Sequence, residues 1–327
     1  MPSKQEHRFL YPEKDIQKDL HAAYKQKHTV VGWPKGVSKI FSHLTRKHTG
    51  CIVGIALGDE GKGRIVDNCI ETLLSTRGIA GVTVVRFQGG NNSGHTVQIK
   101  NISIAIHQIP CGIVHKKTTC IMDRGMTINP IDLMEEIHIV EKMVGSVKGR
   151  LFLSRDAVLN TDLDRGEELL NRSRQGSSGG GTGRGIGPSY AHHYDRLGFH
   201  VSDLISDDWE IHFEKQYARY AKEFALYGLD LATIEVPDFK ETKKTHKEHK
   251  RPIGTKKEFL LRLRHARSAL LRRRMVVNTF VMHKKIYSDS SQAVFFEGAQ
   301  ALGLHAWLGT IPDITASDTS VYGIHSG

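Results

Sequence analysis

The chain has 327 residues, 39% of them hydrophobic and 25% charged, and a formal net charge of +11. This composition excludes a chain disordered throughout, and no apolar run approaches the ~20 residues needed to span a bilayer. With no compact apolar leader in the first fifty residues either, we expect a cytoplasmic protein with no membrane partner. The basicity is local: residues 1–50 hold ten Lys or Arg against four Asp or Glu, and residues 236–285 hold sixteen against four, so the remainder is net negative. Charge runs of this kind read first as solvated loops and a charged helix face, which argues against nucleic acid as a partner. The four cysteines, Cys51, Cys69, Cys111 and Cys120, include no Cys-x-x-Cys pair and are expected to be reduced and mostly buried.

Residues 1–50 show no sustained hydrophobic period and are read as a basic N-terminal extension. Cys51 to Leu57 is a short apolar run ending in a glycine-rich turn, after which Ile65, Val66, Cys69, Ile70, Leu73 and Leu74 recur at helical spacing. The order is strand, loop, helix. Val82 to Phe87 predicts a second buried strand, and Val97 to Ile109, with Lys100-Asn101 between two alternating stretches, predicts a hairpin within a mixed sheet. Further strands are expected at Thr119–Met122, Leu151–Ser154 and Ala293–Phe296, with helices near 130–143, 162–174, 207–227 and 257–285. Strands alternating with helices predict an α/β fold with a mostly parallel central sheet flanked by helices. The Gly/Ser stretch from Gln175 to Pro188 carries Thr182, Arg184 and Pro188, which is too specific for a tether, and is read as a ligand loop.

A glycine-rich turn between strand and helix presents backbone N–H groups to an anion at the helix N-terminus. Gly58-Asp59-Glu60-Gly61-Lys62-Gly63 has that context and reads as a P-loop-like phosphate-binding loop. It is not a Walker A loop, since Ala56 and Gly63 stand where that pattern wants Gly and Ser/Thr. An acid pressed against phosphate is repelled unless a metal or a proton transfer needs it, so the pair Asp59-Glu60 beside Lys62 points to a base or a magnesium ligand at Asp59. Gly89-Gly90-Asn91-Asn92-Ser93-Gly94-His95-Thr96 follows the second strand in the same way. Parallel-sheet geometry would bring both loops to one carboxyl edge, where His95 could donate to a transferring phosphoryl oxygen.

These two loops, together with Gly181-Thr182-Gly183-Arg184-Gly185-Ile186-Gly187-Pro188-Ser189-Tyr190 and Phe296-Glu297-Gly298-Ala299-Gln300, occur in the order and approximate spacing of adenylosuccinate synthetase. The chain resembles that family over about residues 51–327. The resemblance implies a ligase that joins inosine monophosphate (IMP) to L-aspartate with GTP as co-substrate and Mg2+ as cofactor. In its terms Asp59 matches the base that takes the proton from purine N1 and also contacts the metal. His95 matches the acid that stabilises phosphoryl transfer, Lys62 a lysine at the transferring phosphate, and the Gly94 carbonyl a magnesium ligand. Gly58, Glu60, Gly61 and Gly63 complete the nucleotide-binding loop. Asn92, Thr182, Gln300 and Thr315 match residues that hold the purine nucleotide, Thr182 and Thr315 through its phosphate. Arg196 falls where the family sends an arginine into the neighbouring subunit's site, which implies a homodimer.

The sequence departs from the family pattern at Leu57, where a large residue such as Trp is usual, at Gly181, where Thr is usual, and along Ala301 to Thr315, which looks closer to a shorter archaeal and phage branch. Phage enzymes of that branch act on deoxyguanylate (dGMP) and replace the loop carboxylate with a small hydroxyl residue, so Asp59 favours IMP. A phage-type dGMP ligase and a catalytically silent nucleotide- or RNA-binding protein remain the alternatives. The arginine-rich aspartate loop and the Lys-x-Asp guanine motif of the family do not occur in this sequence, and Arg272-Arg273-Arg274 precedes Glu297 in a helical pattern, so it receives no substrate role. Residues 51–327 are therefore expected to be a C-terminally incomplete nucleotide-binding domain that binds the monophosphate weakly and does not complete the ligation.

Overall fold

Runs of β-branched and aromatic residues with no polar alternation need cover on both faces, and parallel strands linked by helices supply it. In the computed structural model, which describes residues 49–99, 102–175, 181–241 and 248–326, six such strands form one sheet. Residues 1–48 of the basic extension, the Lys100-Asn101 turn, residues 176–180 of the ligand loop and the lysine-rich residues 242–247 lie outside the described residues.

In chain order, β1 (Thr49–Gly54) leads to α1 (Lys62–Leu74) and β2 (Gly81–Arg86), then to a hairpin of β3 (His95–Ile99) and β4 (Ile102–Ile106). There follow β5 (Thr118–Met122), β6 (Thr127–Ile128), α2 (Pro130–Val144), β7 (Leu151–Ser154), β8 (Val158–Leu159) and α3 (Asp162–Gln175). Next come α4 (Ile186–Tyr194), α5 (Val201–Ile205), α6 (Trp209–Ala225), β9 (Glu235–Glu241) and β10 (Glu248–Pro252). The chain then forms α7 (Lys256–Arg273), β11 (Val276–Val277), α8 (Thr279–Ser288), β12 (Gln292–Ala301) and α9 (Gly323–Ser326).

The central sheet runs β1-β12-β2-β5-β7-β11, and every neighbouring pair in it is parallel. Every residue of β2 is buried. Val85, Phe87, Ile121, Val294 and Phe296 pack on one face beneath Met282 and Ile286 of α8 and Ile324 of α9, with Phe87 and Phe296 edge to face at 6.2 Å. Burying side chains of this size stabilises by roughly 1.5–3 kcal/mol each. Successive side chains on a strand point to opposite faces, so Val84 belongs to the other face. There it meets the turn at Gly112, where an added Cβ would sit 2.4 Å from Val84 Cγ2 and 3.1 Å from Ile70 of α1.

Three expectations need correction. The sheet is parallel throughout and not mixed, because β3 and β4 pair only with each other, antiparallel, as a separate ribbon. The first strand ends at Gly54 and not at Leu57: the Glu60 carboxylate accepts the N–H groups of Ile55 and Ala56, both at 2.9 Å, and turns the chain out of the ladder. Helix 257–285 is two helices. Arg274 takes a left-handed conformation (φ 52°) at the end of α7, Val276 and Val277 join the sheet beside β7, and Asn278 caps α8. No Gly or Pro marks that break, so the apolar period runs through it. A hairpin, β9–β10, also forms inside the basic segment, and α4 within the ligand loop's continuation.

Two arginines of the basic segment face inward. Asp162, wholly buried at the start of α3, pairs with Arg251 of β10, with Arg165 at 3.3 Å and with Arg262 of α7 at 3.5 Å. Arg165 also pairs with buried Asp132, which accepts from Asn91 at 2.9 Å, so the network runs from the glycine-rich loop after β2 to the β9–β10 ribbon. Removing one partner of a buried ion pair leaves an uncompensated charge and costs about 3–5 kcal/mol. We expect Asp162→Ala to lower the melting temperature by an amount corresponding to that loss. An unchanged melting temperature would show that the network contributes no net stability.

Candidate active site

β1 and β2 both lie against β12 and run parallel to it, with Ile52 and Arg86 each level with Glu297. The loops that follow β1 and β2 therefore emerge side by side at the carboxyl edge, where open α/β sheets take ligands. A cavity of about 320 Å3 between them is lined by Gly58, Asp59, Glu60, Gly61, Lys62, Gly63, Asn92, Gly94, His95 and Gln300. A second, of about 510 Å3, is lined by Asn92, Thr182, Gln300 and Thr315 together with Glu167, Glu168, Asn171 and Arg172. Asn92 and Gln300 belong to both, so the cavities adjoin. Of the residues given a catalytic, nucleotide-binding or metal role from sequence only Arg196 lines neither; it is exposed just beyond α4, at φ 64°.

The first loop separates its two acids. Asp59 is exposed at φ 48°, a left-handed conformation that Asp tolerates better than most residues. Glu60 turns inward to the N–H groups of Ile55 and Ala56, and its other oxygen lies 3.8 Å from Lys62 Nζ. Gly54 makes room for it, since a Cβ there would fall 2.1 Å from Glu60 Oε2. Glu60 thus builds the loop, and Asp59 is the acid left facing the cleft. Lys62 is the first residue of α1 and 6% exposed; burial pushes its pKa below the usual lysine value, and the charge of Glu60 opposes that.

His95 opens β3 and is buried against β12. Its Nδ1 lies 2.5 Å from Glu297 Oε1 and its Nε2 lies 3.3 Å from the Ala299 carbonyl oxygen. Glu297 is wholly buried and also accepts the Cys111 N–H at 2.8 Å. Burial alone raises a carboxyl pKa, but hydrogen bonding and charge from His95, together with Arg86, outweigh it and hold Glu297 below the ordinary glutamate range. Glu297 belongs to the motif Phe296–Gln300, within which the sequence assigns a task to Gln300 and none to Glu297. An acid immediately after the apolar run Ala293–Phe296, still within the strand, is the available signal.

The loop at Thr182 is held by Glu168 of α3, whose carboxylate accepts the N–H groups of Gly183 at 2.8 Å and Gly185 at 2.5 Å. A Cβ at Gly181 would fall 2.1 Å from Glu168 Oε1, a physical reason for glycine at a position where the family usually has Thr. At the other end, Tyr190 donates to the Gly125 carbonyl at 2.6 Å and accepts the Gly89 N–H at 3.2 Å, tying α4 to the loop after β2. Asn92 Oδ1, where the two cavities meet, is buried with no hydrogen-bond partner among the described residues. Glu168, Asn171 and Arg172 escaped the sequence reading because α3 shows only a charged helical pattern.

A parallel α/β sheet with two glycine-rich loops over one cleft, and a third loop closing it, defines an α/β protein of the kind that binds ligands at its strand ends. The family model for adenylosuccinate synthetase matches residues 51–327, and the chain belongs to that family. It is 33% identical over 295 residues to adenylosuccinate synthetase of Chlorobium limicola, covering 89% of this chain and 60% of that protein. With the Chlorobium luteolum enzyme it shares 42% identity over 170 residues, 52% of this chain and 37% of the relative. Fully ligated adenylosuccinate synthetase from Plasmodium falciparum superposes with a TM-score of 0.67 at 27% identity, over 86% of this chain and 58% of that one. The succinoaminodeoxyadenylate synthetase of cyanophage S-2L, bound to dGMP and dATP, shares the fold with a TM-score of 0.51 at 17% identity, over 86% of this chain and 59% of that one. The chain thus spans about 60% of the length of curated relatives such as the Chlorobium limicola protein. No helix among the described residues is long and apolar enough to cross a membrane, and all four cysteines are free.

A carboxyl whose pKa is lower folded than unfolded adds stability that is present above the unfolded value and is lost as pH falls through the folded one. Glu297 has that sign. In urea melts at several pH values we expect the wild type to lose more stability than Glu297→Gln on acidification below the ordinary glutamate range. Equal slopes would remove Glu297 from the acid response.

Proposed function

We propose that this chain carries the nucleotide-activating site of an adenylosuccinate synthetase, which phosphorylates the 6-oxygen of IMP with GTP so that the amine of L-aspartate can displace the phosphate. The observation that carries the reading is the junction of the two cavities at Asn92 and Gln300, with Asp59, Lys62 and His95 on one side and Thr182 and Thr315 on the other. A purine at that junction would meet the unpartnered Asn92 Oδ1, while its phosphate would reach the Thr182 and Thr315 hydroxyls. Residues 51–327 form the nucleotide-binding domain in this reading, and residues 1–50 an appended arm.

A 6-oxo group leaves poorly, and phosphorylation converts it into a good leaving group. Asp59 takes the proton from N1, which makes the 6-oxygen nucleophilic toward the γ-phosphate of GTP. His95 donates to the transferring phosphoryl group, with Glu297 holding its ring from behind. Lys62, already short of solvent, puts its charge at the phosphate, where a dry setting strengthens it. The chain's contribution is chiefly positioning and charge. Asp59 and Gly94 line the same cavity and offer a carboxylate and a backbone carbonyl, the all-oxygen donor type that Mg2+ takes. Mg2+ when bound there neutralises phosphate charge. Retention of Asp59 supports IMP over dGMP as the acceptor. The exposed position of Arg196 supports its reaching into the site of a second copy, and hence a homodimer.

The reading is tested by calorimetry. IMP should bind, and Thr182→Ala and Thr315→Ala should each weaken it by about tenfold to a hundredfold, the ~1.5–3 kcal/mol scale of a hydrogen bond to a charged group. Inosine, which lacks the phosphate, should be insensitive to both changes. If IMP and inosine lose affinity alike, the phosphate is not at these threonines.

With IMP and GTP, Asp59→Asn should reduce transfer of the γ-phosphate to the 6-oxygen by ~10²- to 10⁴-fold, the usual cost of losing a general base, while IMP affinity stays within a few-fold. Near-normal turnover in Asp59→Asn would end the base assignment. Mixing Arg196→Leu with Asp59→Asn subunits should restore activity that neither has alone, because one site of the mixed dimer keeps both groups. No recovery from subunits shown to exchange would remove the shared site.

A further inference from the structure

We infer that His95, Cys111 and Glu297 form a binding site for a soft divalent cation of the Zn2+ class, separate in its donors from the magnesium position. One ligand atom from each of the three lies within 4.8 Å of the others, and all three residues are buried. They come from three different pieces of chain: β3, the short turn at Cys111–Val114, and β12. This is the one such group among the described residues.

The distances suit a tetrahedral ion. Bonds of about 2.0–2.1 Å to nitrogen and about 2.3 Å to sulfur place neighbouring ligands roughly 3.5 Å apart. Cys111 Sγ already lies 3.5 Å from His95 Nδ1. The Nδ1–Oε1 separation of 2.5 Å must open by roughly 1 Å to admit an ion between them. His95 Nε2 faces the Ala299 carbonyl at 3.3 Å, so it can keep its proton there and leave Nδ1 to the metal, the outer hydrogen bond that ligating histidines usually make. The Cys111 N–H holds Glu297 Oε2 and leaves Oε1 for the ion.

The charges decide which ion. Buried Arg86 stands near Glu297 and partly offsets its charge, so a divalent cation held there needs a second anionic ligand beside that one carboxylate. A metal that bonds to sulfur draws the proton off Cys111, so thiolate and carboxylate together offset the ion, and the thiol proton, with any proton on Nδ1, leaves to solvent. Because His95 lines the smaller cavity, the remaining coordination position can open there. Occupancy by zinc would take His95 away from any other task, an inhibitory state. The binding itself does not rest on the functional reading.

The test is metal binding to the whole chain. Co2+ should bind with a sulfur-to-metal charge-transfer band, one ion per chain producing it, and Zn2+ should displace it. Cys111→Ser should fold with the wild-type melting temperature and lose the band. No band in the wild type, or a band that persists in Cys111→Ser, overturns the site. Should Cys111→Ser not fold, X-ray absorption of the zinc-loaded wild type decides: one sulfur with nitrogen and oxygen neighbours supports the site, and a shell without sulfur overturns it.

Discussion

Glu297 is a carboxylate with no exposure, level with the last residue of β2 and two residues short of the end of β1. A buried charge is tolerated only if it is paired and hydrogen-bonded, and three pieces of chain converge to do that: the His95 ring, the Cys111 backbone and the nearby Arg86. His95, Arg86 and Glu297 itself belong to stretches that also build the cleft. β3 starts at His95, the glycine-rich loop before it leaves β2 just after Arg86, and Gln300 follows Glu297 by three residues on β12. Satisfying one carboxylate thus ties the hairpin, the loop and the central strand into one arrangement.

The remaining walls of the cleft obey the same rule with other acids. Glu60 uses the backbone of Ile55 and Ala56 to close the first loop, and Glu168 uses the backbone of Gly183 and Gly185 to close the third. Carboxylates that accept from backbone N–H groups take up donors that would otherwise be unpaired, and they make loops rigid without a helix or ladder. The acids that shape these two loops are therefore consumed internally. Asp59, exposed and in a left-handed backbone, is the acid of the first loop that chemistry can use.

Below the cleft, the Asp162 network joins α3, α7 and the β9–β10 ribbon, and through Asp132 and Asn91 it reaches the loop after β2. Neighbouring asparagines are thereby divided: Asn91 anchors the loop, while Asn92 stands between the cavities. Part of the charge that looks like a basic surface in composition is spent in the interior, on Arg251 and Arg262.

The α/β class, the parallel order of the main strands and the gathering of two glycine-rich loops at one edge were legible in the sequence. Apolar runs without alternation, and glycines placed between strand and helix, are local signals that depend on neighbouring residues alone. Family membership was legible too, because four motifs in fixed order outweigh any one of them. The tertiary structure alone decided the break at Arg274, the separation of the β3–β4 ribbon from the main sheet, the inward turn of Glu60, and the pairing of His95 with a residue 202 positions away. Each of these turns on which buried polar group finds a partner. That partner lies far along the chain or on a backbone whose path the fold must first set, and no window of sequence contains both.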